Sequence, residues 1–155
     1  MLESIRYCCN VFLCVVGGLA YVVLLGWTVF GVWSFGYEAL KTIILMMTIG
    51  LPVPSKNLGL GLFTAGLAGY YSLTSPLIVG LFRRMPVLRP VLIVGFVFLL
   101  GLVITYSALF QILNAGIHSK ALAITVGTTG IVLTRLFMAW LFEKVPVEAL
   151  AFRYR

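Results

Sequence analysis

Charge is scarce in this sequence. Only 10% of its residues are Asp, Glu, Lys or Arg, where soluble domains carry about 25%. Hydrophobic residues make up 62%, and the mean hydropathy is +1.14. A chain so poor in polar side chains cannot cover itself with a water-compatible surface, which excludes an ordinary soluble domain. In lipid, every backbone N–H and C=O must be bonded internally, so only helices or a closed barrel can span. The apolar residues run continuously instead of alternating over ten-residue segments, and this selects helices.

Other absences exclude chemistry. There are four acidic residues and one histidine in the chain. No Asp or Glu falls inside an expected span, so a proton or cation relay lacks its carboxylate. A histidine pair for haem and a His/Cys/carboxylate cluster at metal spacing are both missing. So are a P-loop, a GxSxG elbow and a credible pairing of nucleophile and base. The expectation is a protein that is not an enzyme, with no cofactor and no metal. Nucleic acid is not an expected partner, because no soluble domain exists to carry a basic face. Cys8, Cys9 and Cys14 form neither a CxxC nor a lipoprotein box, and small apolar residues are their simplest role.

Charged residues mark where spans end, since a charge at the bilayer centre costs at least about 2.5 kcal/mol. The charge-free intervals place spans at about 10–33, 58–82, 91–117 and 121–142, each near the roughly 20 residues that the hydrocarbon layer requires. The first is expected to act as an uncleaved insertion signal, being too long for a secretory signal and lacking an A-x-A site. The stretch 42–51 is apolar but too short to cross, and Pro52 and Pro54 stop a helix beyond it. A separate interfacial or re-entrant helix is expected over 37–50. The fold class is therefore an all-α membrane protein, a four-transmembrane-helix bundle forming a single integral membrane domain over 1–155.

Orientation follows from Lys and Arg in short loops. With the N-terminus inside, Arg6, Arg83, Arg84, Arg89, Lys144, Arg153 and Arg155 collect on the cytosolic side, against Lys41, Lys56 and Lys120 outside. Both termini are thus expected in the cytosol, with the chain in a bacterial inner (cytoplasmic) membrane. The net charge of +7 serves this topology and attracts anionic headgroups, with Arg83, Arg84 and Arg89 as candidate lipid contacts.

Two constellations inside the spans carry polarity. Ser107, Gln111, Asn114 and His118 recur at helical spacing and share one face. Such a stripe is expected to turn inward, as a polar path or as interhelical hydrogen bonding. Depth counting places Thr128, Trp27 and Thr28 level with Gln111. Arg135 is the only charge within a span. Counted from the cytosolic end it matches Ser75, where Pro76 frees a backbone carbonyl that a guanidinium and Thr74 or Ser75 together would satisfy. Snorkelling to the headgroups, and an anion or partner site, are the other roles open to it. Glycines at 17, 18, 59, 61, 66, 69, 127 and 130 suit close helix packing, and Tyr70, Tyr71 and Tyr106 are expected to face inward.

Two functional classes fit these residues. One is an accessory subunit or inhibitor that binds another membrane protein. The other is an oligomeric channel or transporter for an anion or small neutral solute. The partners expected are membrane lipids together with a membrane protein or further copies of the chain.

Overall fold

The computed structural model describes residues 2–74, 80, 82, 84, 85 and 87–144. Four α-helices account for most of them: α1 (Leu2–Ile49), α2 (Leu58–Thr74), α3 (Leu88–Asn114) and α4 (Lys120–Lys144). No strand occurs among the described residues. Within them α1, α3 and α4 are each long and apolar enough to cross a membrane. The described part of α2 is shorter, at 17 residues.

The first helix departs from the expected pattern. A break was expected after residue 33, with a separate helix over 37–50, yet α1 runs unbroken for 48 residues, or about 70 Å. The physical reason lies in what the junction lacks. No proline interrupts it, and Glu38 and Lys41 are good helix formers. Termination comes only at Gly50, whose φ of 73° an L side chain rarely adopts. Its N–H bonds the carbonyl of Met46 at 2.8 Å, and Pro52 prevents resumption. Gly116 plays the same part after α3, with φ 83°.

Far from lying on an interface, the C-terminal half of α1 is the centre of the core. Leu25, Val29, Val32, Gly36, Ala39, Ile43, Met46 and Gly50 follow one another at alternating steps of four and three, and all are buried but Val29, which is half-buried. On α3 the same alternation links Leu88, Leu92, Gly95, Leu99, Leu102, Tyr106, Leu109 and Leu113. Two such 3.5-residue repeats pack as a coiled-coil-like seam. Leu25 clusters with Leu92, Val32 and Trp33 abut Gly95, and Phe98 abuts Gly36. Residue numbers rise together, so α1 and α3 run parallel. Trp33 stacks on Phe98, with ring centroids 5.7 Å apart.

The other two helices run the opposite way. Gly127 of α4 meets Met47, and Lys120 meets Gly50. On its other side α4 meshes with α3 through a reciprocal pair. Thr134 covers Gly101, and Thr105 covers Gly130. Each threonine hydroxyl is satisfied within its own helix, Thr105 bonding the carbonyl of Gly101 at 2.9 Å and Thr134 that of Gly130 at 2.8 Å. The methyl groups are left to fill the glycine notches, so the backbones approach closely. α2 lies antiparallel to α1, with Gly61 against Phe35 and Thr64 near Gly31.

These contacts place the start of α2 level with Glu38 and Ala39, well short of the end of α1. The connecting residues 51–57 are not helical and double back along the bundle to reach it. Their backbone is held by one side chain. Ser55 N–H donates to the Tyr106 hydroxyl at 2.9 Å, and that hydroxyl donates to the carbonyl of Val53 at 3.1 Å. Irregular backbone at this depth is tolerated only where protein satisfies it. Tyr106→Phe keeps the ring but strips both bonds. It should destabilise the protein in detergent by about 1–3 kcal/mol, the scale of two lost hydrogen bonds to partly buried groups. The measurement is thermal unfolding, with Tyr37→Phe at an exposed position as a control that should not shift.

Candidate functional site

The polar stripe of α3 does not enter the bundle. Ser107, Gln111 and Asn114 are exposed, as is His118 in the α3–α4 connection. The rotation of α3 is set by its leucine repeat and by the close approaches at Gly95 and Gly101, and this leaves the stripe on the outer surface. The polar layer expected around Gln111 is not assembled either. Trp27 and Thr28 belong to the part of α1 near Leu92, whereas Gln111 lies close to the other end of α3. The depth estimate failed because it ended α1 at residue 33. Thr28 and Thr128 also spend their hydroxyls locally, on the carbonyls of Leu24 at 2.7 Å and Ile124 at 2.5 Å. Of the three tyrosines, Tyr106 turns inward while Tyr70 and Tyr71 are exposed.

Arg135 is exposed on the outer face of α4, among exposed Val132, Leu133, Leu136 and Phe137. Its neighbour Thr134 covers Gly101, halfway along α3. Thr74 closes α2 beyond Gly69, which faces Phe96, and so lies nearer the start of α3. Arg135 and α2 are therefore separated in depth, and Ser75 lies outside the described residues. The expected capping contact is replaced by another relation. Gly36 abuts Phe98, so Glu38 and Lys41 occupy nearly the same level as Arg135. Glu38 is half-buried and Lys41 exposed. A carboxylate thus sits midway along the bundle, where none was expected. Sequence reasoning missed it by treating Glu38 as the end of a span, although the four-three repeat continues past it without a breaker.

Two cavities flank α2. The larger, about 370 Å³, is lined by Val32, Gly66, Gly69, Tyr70, Phe82 and Phe96 among others, with Arg89 as its only charged residue among those described. The smaller, about 310 Å³, lies on the other side of Ala68, between α1 and α2, and includes Trp27, Thr28, Thr64 and Tyr71. Both are mainly apolar, and neither forms a polar passage. Of the arginines expected at headgroups, Arg84 is exposed, Arg89 is half-buried and Arg83 lies outside the described residues. Among the described residues no group of His, Cys, Asp and Glu is placed to hold a metal ion.

Exposure of Arg135 changes what its removal should do. Arg135→Leu should leave the thermal stability of the isolated chain within about 0.5 kcal/mol of the parent, as for other surface changes, or raise it, because an apolar side chain suits lipid. A loss above about 1 kcal/mol, the scale of a single internal hydrogen bond, would show a contact inside the chain. No protein-family model, curated protein or solved structure matches this chain.

Proposed function

We propose that the chain is a non-enzymatic membrane subunit that works by binding another membrane protein, using the N-terminal half of α1. The observation that carries this reading is the overhang of that helix. From Arg6 to Ala20 every residue is exposed, and the stretch after Arg6 is almost wholly apolar. Among the described residues the rest of the bundle begins near Tyr21 and Leu25, which pack with Leu92. A helix that is apolar all round requires an apolar cover. If α3 and α4 lie across the bilayer, the overhang reaches past it by about 25 Å. A partner subunit supplies the cover that lipid at that level does not. Glu38, Lys41 and Arg135, level with the middle of α3, support the same reading, since a central charge costs about 2.5–3.5 kcal/mol unless something outside the chain meets it.

In this reading α2 completes a fourth crossing, both termini face the cytosol of the inner membrane, and the seven-to-three bias in Lys and Arg orients the chain. Reporters fused at Met1 and Arg155 should then give cytosolic signals, and one inserted at His118 the opposite signal. Termini on opposite sides would mean an odd number of crossings.

The partner reading is tested with photo-crosslinking residues at Val15, Leu19 and Val22, followed by mild-detergent purification and mass analysis. A stoichiometric foreign membrane protein crosslinked at these positions supports it. A chain that is monomeric in nanodiscs and crosslinks only to lipid overturns it. A closed homo-oligomer would return the channel class to consideration.

A further inference from the structure

The larger cavity has a shape and a charge that the packing of α2 does not account for. Small residues in lipid-embedded helices normally let a neighbouring backbone come close, as Gly101 and Gly130 do. Gly61 of α2 does the same against Phe35, but Gly66 and Gly69 do the opposite. A Cβ added at Gly66 would meet nothing within 4 Å, and one at Gly69 would meet only Phe96 Cε2, at 3.8 Å. The space they leave is bounded by Val32 of α1, by Phe82, and by Leu92, Ile93 and Phe96 of α3. At about 370 Å³ it falls within the range of small-molecule sites, roughly 300–1,000 Å³.

Its charge is at one end. Arg89 is half-buried and is the one charged residue of the lining among the described residues. Phe96 and Val32 mark the far end, about 10 Å along the helix axis, two turns from Arg89. Exposed Arg84 lies in the connection on the same side. A long apolar slot with a guanidinium at its mouth matches a molecule with an acyl chain and an anionic head. Phospholipids supply that combination, and basic pockets between transmembrane helices on the cytoplasmic side are where their headgroups bind.

We infer that this cavity is a binding site for one anionic phospholipid, with an acyl chain lying against Gly66 and Gly69 and the headgroup phosphate on Arg89. The volume suits a chain and not a whole lipid, so the headgroup and second chain remain outside. The guanidinium donates to phosphate oxygens in a charge-assisted, two-pronged contact. The site stands independently of the partner reading, since it uses none of the overhanging residues.

The test is native mass spectrometry of the delipidated full chain in detergent, titrated with phosphatidylglycerol and with phosphatidylcholine of identical chains. One phosphatidylglycerol per chain should bind, in preference to phosphatidylcholine. Arg89→Gln should lower phosphatidylglycerol affinity about tenfold, the scale of a lost hydrogen bond to a charged group, and abolish the preference, while Arg84→Gln should have a smaller effect. Gly66→Leu, whose side chain has room to enter the cavity, should weaken both lipids with thermal unfolding unchanged. If that variant does not fold, Arg89→Gln still decides the question. Unchanged binding in Arg89→Gln, equal affinity for the two lipids, or equally strong binding of glycerol phosphate without chains would each overturn the assignment.

Discussion

Everything in this fold is arranged around the parallel seam between α1 and α3. Two helices can run parallel in adjacent positions only if the intervening chain returns to the starting end, and here α2 makes that return. The seam is closed by alternating large and small residues. Leu99, Leu102, Leu109, Ile43 and Met46 are fully buried, while Gly36 admits Phe98 and Gly95 admits Trp33. In lipid the burial of apolar surface provides little drive for association, because the hydrocarbon is as apolar as leucine. Close packing and satisfied backbone must supply it instead. The four-three alternation does so over the whole of α3, and α4 is then locked on by the reciprocal threonine and glycine pairs.

The seam also dictates the awkward part of the structure. Because α1 must reach Gly50 before it can turn, the chain stands at the far end of the bundle while α2 starts near its middle. Residues 51–57 cover the difference without helical hydrogen bonds. Pro52 and Pro54 remove two donors that would otherwise need partners, and the Tyr106 hydroxyl serves Val53 and Ser55 together. Proline in this connection thus has two effects. It ends the helix, and it lowers the number of polar groups that a partly buried non-helical stretch of chain must satisfy.

Legibility of this sequence divides along physical lines. The all-helical class, the candidate crossings in α3 and α4, and the stop at Gly50 and Pro52 follow from composition, length and backbone chemistry, which are local. The continuity of α1 was missed because Glu38 and Lys41 were used as markers of a membrane boundary. Charge reports where a chain meets water and does not report where a helix ends. The repeat through Val32, Gly36, Ala39, Ile43 and Met46 was the available signal. Rotation of α3 was harder to foresee. Its polar stripe and its leucine repeat both have helical spacing, and the close approaches at Gly95 to α1 and at Gly101 to α4 decide which one faces inward. The threonines misled for another reason, since most of those on α4 and α1 bond their own helix four residues back and offer little polarity to neighbours.

A contrast between glycines explains why candidate function gathers at α2. On α3 and α4 the notches at Gly101, Gly127 and Gly130 are filled by Thr134, Met47 and Thr105, so those helices touch along their length. At Gly59 and Gly66 an added Cβ would meet nothing within 4 Å, and cavities lie on both sides of Ala68. α2 therefore packs closely at Gly61, Ala65 and Ala68 while leaving space beside Gly59 and Gly66. An acyl chain entering beside Gly66 would fill space and supply the dispersion contacts that the glycines forgo. Occupancy of that space would then add to the contacts that hold α2 against α1 and α3, next to the segment of α1 whose residues are exposed from Arg6 to Ala20.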